Sequence, residues 1–350
     1  MRGAALAWML AGLGCSAEAR RPVVTPPPAP KPAVAAPMAE AAPEPASAEA
    51  PPVLPPASAS TSIGSPTHGR LVGGVPLPRS GPGYRFNDRR GQDARYATVE
   101  VVRAIVGAAA RVQLAHPDAE LVVNDVGLPG GGPIPHHGSH RAGRDADILF
   151  FLRDVHGAPM PSVGAPIDPE GAGTDYQDLA RADDDVPVRF DAARTWRFVW
   201  ALLEEGGGAG DAEVQRIFVA EHLRAMLLEA AETSGAPADV VRRFTDVSCQ
   251  PGYPHDDHLH VRWFCSFEDL RAGCVDVPPI YPWRAEALAT AGVVAARVPR
   301  ATAREPSEVV TQAAAEQAAR AQRPHSDVLA FLARRKAWAK QPHPGRPWCR

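Results

Sequence analysis

The sequence predicts an α+β fold, a central antiparallel sheet with helices packed against it. Two observations lead there. Runs that read as short strands (Leu121 to Val123, Ala146 to Leu152, Val214 to Val219, His258 to Trp263) alternate with segments whose apolar residues recur at helical spacing. The folded part is also shorter than the 350-residue chain, because many of its 38 prolines lie before residue 58.

Residues 1–15 hold Arg2, an apolar run from Ala4 to Leu13, and then Gly14-Cys15. The run is shorter than the about 20 residues a membrane-spanning helix needs, and it reads as a secretory signal. Gly14 before Cys15 fits a lipoprotein cleavage site, although Gly12 stands where leucine is usual, so lipid attachment at Cys15 and plain cleavage both stay open. Residues 16–66 are rich in Pro, Ala and Ser with almost no large apolar side chains. Such a segment cannot bury enough surface to offset its ordering entropy and is expected to be an extended, disordered linker.

A domain is expected over 67–285. Val102, Ile105, Val106, Ala109 and Val112 predict a helix from Ala97 to Ala115, followed by the strand Leu121 to Val123 and the buried strand Ala146 to Leu152. Residues 153–190 read as acidic and irregular, with Asp183-Asp184-Asp185 as a solvated run. Asp191 is placed to cap a helix bearing Trp196, Val199, Trp200 and Leu203, which Gly206-Gly207-Gly208 ends. The strand Val214 to Val219, helices Glu221 to Glu232 and Ala238 to Phe244, and the strand His258 to Trp263 complete it. Residues 286–350 are rich in Ala and Arg and are expected to be helical in pieces, Ser307 to Gln322 and Ser326 to Lys340.

Setting Cys15 aside leaves Cys249, Cys265, Cys274 and Cys349, an even number that suits a disulfide-permissive compartment. Three pairings are possible. The short loop favours Cys265–Cys274, leaving Cys249 for Cys349. A formal net charge of -3 argues against a nucleic-acid binder, which needs a basic face to displace counterions.

The chemistry is concentrated in two windows, Gly131 to Asp147 and Pro254 to Val261, which hold half of the twelve histidines. In His258-Leu259-His260-Val261 the two histidines share one face of a strand while Leu259 and Val261 point to the core. Asp145 and Asp147 stand in the same relation at the start of their own strand. Neighbouring strands would therefore aim four polar groups into one cleft, with His140 reaching it from the preceding loop. A catalytic zinc asks for three nitrogen or oxygen ligands and one open position, which His140, Asp147 and His260 would supply. Rival motifs are missing: no H-E-x-x-H occurs, and Gly130-Gly131-Gly132 lacks the Lys-Ser/Thr of a phosphate loop. Ser139 also lacks the flanks of a nucleophile elbow.

Ser139-His140-x-x-Gly143-x-Asp145-x-Asp147-Ile148, preceded by Gly131-Gly132 and His137, resembles the first signature of the penicillin-insensitive murein endopeptidases. His255-x-x-His258-x-His260-Val261-Arg262 followed by Cys265 resembles the second. These belong to the zinc peptidases of the lysostaphin, D-Ala-D-Ala peptidase and Hedgehog group. The resemblance covers about Gly83 to Val275, with Arg141 in place of a usual glutamine. It implies Zn2+ held by His140, Asp147 and His260, with His137 beside the metal as an additional or alternative ligand. It also implies His258 as the catalytic histidine, His255 as a second active-site imidazole, and a Cys265–Cys274 bridge. The implied substrate is peptidoglycan, cut at the D-alanyl–meso-diaminopimelate cross-link. The implied location is the periplasm, with or without an outer-membrane anchor through Cys15. A D,D- or L,D-carboxypeptidase and a non-catalytic wall- or metal-binding protein are the alternatives.

Overall fold

The computed structural model describes residues 53–88, 94–134, 137–176, 178–205, 212–252, 254–294, 317, 321, 323–339 and 349. All lie in one compact unit, Ser47–Arg350. The expected signal segment, most of the expected linker and nearly all of the helix expected over 307–322 lie outside the described residues. No described helix is long and apolar enough to cross a membrane.

Regular structure begins inside the segment expected to be linker. Strands β1 (Thr61–Ser65) and β2 (His68–Val72) form an antiparallel hairpin, and Ser62 is fully buried. Strands β3 (Val75–Pro76) and β6 (Tyr96–Ala97) form a second, very short pair. The sheet that carries the site has seven strands. In spatial order they are β14 (Ser248–Cys249), β13 (Val214–Phe218), β15 (His258–Trp263), β8 (Asp145–Leu149), β7 (Leu121–Val123), β5 (Tyr84–Phe86) and β4 (Ser80–Gly81).

The middle of this sheet, from β13 to β7, is antiparallel. Its flanks are not: β14 runs parallel to β13, and β5 parallel to β7. The sheet is therefore mixed, which departs from the antiparallel arrangement expected. The cause lies in the connections. Helix α1 (Val99–Ala115) lies between β5 and β7, and helices α3 (Glu221–Thr233) and α4 (Ala238–Val247) lie between β13 and β14. Helical crossovers of this kind return the chain in the same direction.

The strand expected from Ala146 to Leu152 is split in two. Beyond Leu149 the chain leaves the sheet, because Phe151 donates to Thr195 Oγ1 (3.3 Å) and accepts from the Asp191 amide (2.9 Å). It then enters a four-stranded sheet of β10 (Pro159–Met160), β9 (Leu152–Arg153), β12 (Val186–Phe190) and β11 (Ala172–Asp175). The segment 153–190 is thus more regular than its polar composition suggests. Of its acidic run, Asp183 is exposed, but Asp185 meets His325 at 3.2 Å.

Helix α2 (Ala192–Glu205) starts where expected, with Asp191 Oδ1 accepting from the Arg194 amide at 3.1 Å. Val102 and Ile105 of α1, Trp196 and Val199 of α2, Ile148 of β8 and Leu259 and Val261 of β15 share one core, each at most 1% exposed. Burying each side chain of that kind stabilises the fold by about 1.5–3 kcal/mol. The odd-numbered residues of β15 are committed to this core, which leaves His258, His260 and Arg262 to the opposite face. Helices α5 (Phe267–Ala272), α6 (Pro282–Thr290) and α7 (Ser326–Ala339) follow. Both favoured disulfides form, Cys265–Cys274 and Cys249–Cys349.

Arg144, fully buried just before β8, ties distant parts together. It donates to Ser62 Oγ (3.1 Å), to the Trp263 and Val275 carbonyls (3.0 and 3.1 Å) and to Asp276 (3.3 Å). Replacing it leaves buried acceptors and a carboxylate uncompensated. Arg144→Met is expected to lower unfolding free energy by about 3 kcal/mol, read as a lower urea midpoint at unchanged m-value.

Candidate metal centre

The register of β8 against β15 builds the centre. Asp147 lies directly opposite His260, and Asp145 opposite Arg262. Directly opposed residues of an antiparallel pair project from the same face, so these four side chains meet across one ladder. The loop before β8 adds two histidines, turning back through backbone conformations with positive φ. Gly131 (φ 71°) packs so closely that a Cβ would collide with the Arg141 carbonyl oxygen. His140 itself has φ 67°, unusual for a residue with a side chain, and this aims its ring back over the strand pair.

Asp147 is the focus. Its Oδ1 faces His140 Nε2 at 3.3 Å, His258 Nε2 at 3.4 Å and His260 Nδ1 at 3.6 Å, while Oδ2 faces His137 Nδ1 at 3.5 Å. The ligand atoms of His137, His140 and Asp147 all lie within 4.8 Å of one another, a group able to hold a metal ion. His140 Nε2 and Asp147 Oδ1 are buried without any hydrogen-bond partner. Buried polar atoms are ordinarily paired, so two orphans facing each other fit a shared cation.

The outer nitrogen of each ring is held by an acceptor. His140 Nδ1 lies 3.0 Å from the Val126 carbonyl, His260 Nε2 2.8 Å from Asp145, His258 Nδ1 2.7 Å from Asp257, and His137 Nε2 2.9 Å from Asp125. Where a ring is neutral, as at His260, the proton sits on the outer nitrogen and the lone pair of the inner one faces Asp147. Rings and carboxylates in this arrangement are what a divalent cation with nitrogen and oxygen preferences requires.

Charge follows the same plan. Burial alone would raise Asp147, but His258 and His140 hold it well below the usual carboxylate range. Burial likewise opposes ionised Asp145, yet Arg262 (2.7 Å) and His260 keep it charged. Burial pushes His260 down to about 4, aided by His140 and in spite of its bond to Asp145, so its ring is neutral at neutral pH. Burial would lower His258 too, but Asp147 and Asp257 raise it well above its ordinary value.

All six predicted site residues come together. His137, His140 and Asp147 form the metal-competent group, and His260 and His258 complete the ring around Asp147. His255 stands one step out, its ring 5.0 Å from that of His258 and 5.6 Å from that of His260. Phe218 closes this side, edge-on to His260 at 5.0 Å. The supporting carboxylates Asp125 and Asp257 were missed by the sequence reading. Asp125, at the end of the strand Leu121 to Val123, and Asp257, inside the second histidine window, were both visible as carboxylates beside the predicted site.

A family model described as penicillin-insensitive murein endopeptidase matches residues 62–283. Curated proteins of that name are similar to this chain. The one from Haemophilus influenzae is 29% identical over 204 residues, 58% of this chain and 63% of that protein. Those from Pectobacterium atrosepticum and Klebsiella pneumoniae are each 28% identical, over 63% of this chain and 70% and 72% of their own lengths. The matched region thus spans a little under two thirds of the Haemophilus protein. A family match over more than half of the chain, with both histidine windows inside it, means that this protein belongs to the penicillin-insensitive murein endopeptidase family of peptidases.

Proposed function

We propose that the protein is a zinc-dependent murein endopeptidase that hydrolyses the D-alanyl–meso-diaminopimelate cross-link of peptidoglycan. The observation that carries the reading is the buried Asp147 carboxylate with its convergent imidazoles, inside a chain of this family. When bound, zinc supplies Lewis acidity, which makes water a nucleophile near neutral pH and polarises a carbonyl. His140, Asp147 and His260 would hold it, with His137 as a fourth or alternative ligand.

The remaining residues have their own tasks. Asp145 and the Val126 carbonyl fix the tautomers of His260 and His140. His258, with Nδ1 held by Asp257, keeps Nε2 facing the centre, the position for taking a proton from the attacking water or bonding the developing oxyanion. His255 is the second imidazole on that side. A catalytic zinc keeps a position open for water beside three protein ligands, here His140, Asp147 and His260, and His258 and His255 stand next to that set without belonging to it. Peptidoglycan as substrate places the protein in the periplasm, and the segment before residue 53 would link the domain to a secretory signal, or to a lipid on Cys15.

The direct test is mass analysis of purified cross-linked muropeptide dimers after incubation with the full chain. Dimers are expected to become monomers, the reaction to stop with a zinc chelator and to return with added zinc. Shortened stems on intact dimers would instead indicate a carboxypeptidase, and no product from zinc-loaded protein a binding protein. Two variants separate the roles. His140→Ala is expected to lose zinc, measured by elemental analysis, together with activity. His258→Ala is expected to keep zinc and lose about 10²–10⁴-fold in kcat. Full activity in His258→Ala would contradict the assignment.

A further inference from the structure

The family match ends at residue 283, yet α7, far beyond it, reaches the second histidine window. Asp256 sits between His255 and Asp257 and is fully buried. Its carboxylate receives both arms of the Arg335 guanidinium, Nε at 2.8 Å and Nη2 on the other oxygen, and also the indole Nε1–H of Trp338 at 2.9 Å. Three donors on one buried carboxylate, two from a bidentate guanidinium, make a strong and directional anchor. The backbone of the same residue is held from the other side, where its carbonyl accepts from the Ile167 amide at 2.7 Å.

The helix is in turn fastened to the domain. Val328 and Phe331 are buried, Phe331 packs against Tyr176, and Trp338 meets the His222 ring edge-on at 6.0 Å. Gln250 Nε2 donates to the Trp338 carbonyl at 3.2 Å. The Cys249–Cys349 bridge ties the end of the chain to the same segment.

Two residues beyond Asp256 lies His258, whose Nδ1 depends on Asp257. His255, on the other side, has φ 49°, so the chain between β14 and β15 turns through a conformation that side chains disfavour. A segment of this kind keeps its shape only if its surroundings hold it. We propose that α7 is a working part of the catalytic centre, with Arg335 and Trp338 as positioning residues that hold Asp256 and thereby set Asp257 and His258. The inference rests on the reading of His258 as the catalytic histidine.

The experiment compares Arg335→Met, Arg335→Lys, Trp338→Phe and Asp256→Asn in the full chain. Five quantities are read: kcat and KM on cross-linked muropeptide dimers, zinc content, melting temperature, and the nitrogen NMR signals of the His258 ring in zinc-loaded protein. Arg335→Met is expected to lose about 10–100-fold in kcat, with KM and zinc content within about 2-fold, and to shift the His258 signals. Arg335→Lys should recover part of the loss. Trp338→Phe keeps an aromatic ring, though a smaller one, and removes the N–H, so it should show a smaller loss while staying folded. Combining Arg335→Met with Asp256→Asn should cost no more than the worse single change, because both break one contact.

Wild-type kcat and unmoved His258 signals in the variants would overturn the proposal. So would losses that only track zinc release and a lower melting temperature. If the unmodified chain leaves dimers intact while the His258 signals still respond to Arg335→Met and Trp338→Phe, the endopeptidase reading falls and the positioning contact stands.

Discussion

A carboxylate buried on a central strand is the constraint that the rest of this structure answers. Asp147 lies 1% exposed in the middle of a seven-stranded sheet, where an ionised group is costly unless it is compensated. Four imidazoles converge on it, and each is anchored from behind by a carboxylate or a backbone carbonyl. The β8–β15 register puts His260 and Asp147 opposite one another, and a one-residue slip of β15 would send His258 and His260 to the core face. Leu259, Val261 and Ile148 therefore do more than fill space. Their burial fixes which face the polar residues occupy.

Support for the centre comes from widely separated parts of the chain. Arg144 joins the β1–β2 hairpin to the start of β8 and the end of β15. Asp125 and Val126, after β7, hold His137 and His140. The C-terminal helix holds Asp256 and bears on the loop that presents His258. A cluster of opposing charges in a low-dielectric setting tolerates little movement, and these outer contacts have a common effect of keeping the ring orientations fixed.

Much of this could be read from the sequence, because the site lies where local pattern and chemistry coincide. The alternation in His258-Leu259-His260-Val261 gave the strand, its faces and its neighbours, and the Asp145–Asp147 spacing gave the second half. Helices α1 and α2 were legible from apolar spacing and from the Asp191 cap. Long-range pairings were not. Nothing local in Thr61–Ser65 marks it as a strand, since it is short and polar and gains its order from a partner, while in Val186–Phe190 the alternation of Val186, Val188 and Phe190 is interrupted by Pro187 and follows directly on the acidic run. The parallel flanks of the sheet depend on crossovers, which periodicity does not encode. Arg335 and Trp338 looked like ordinary members of an Ala- and Arg-rich helix, and only their arrival at Asp256, 79 and 82 residues away in sequence, gives them meaning.

The central claim is that Asp147 and its imidazoles form a zinc site. It is tested most directly by diffraction from crystals of zinc-loaded protein, collected on both sides of the zinc absorption edge. One strong anomalous peak is expected in contact with His140 Nε2, Asp147 Oδ1 and His260 Nδ1, with His258 adjacent but not bonded to it. A peak elsewhere, or none at this cluster in protein that carries zinc, would contradict it.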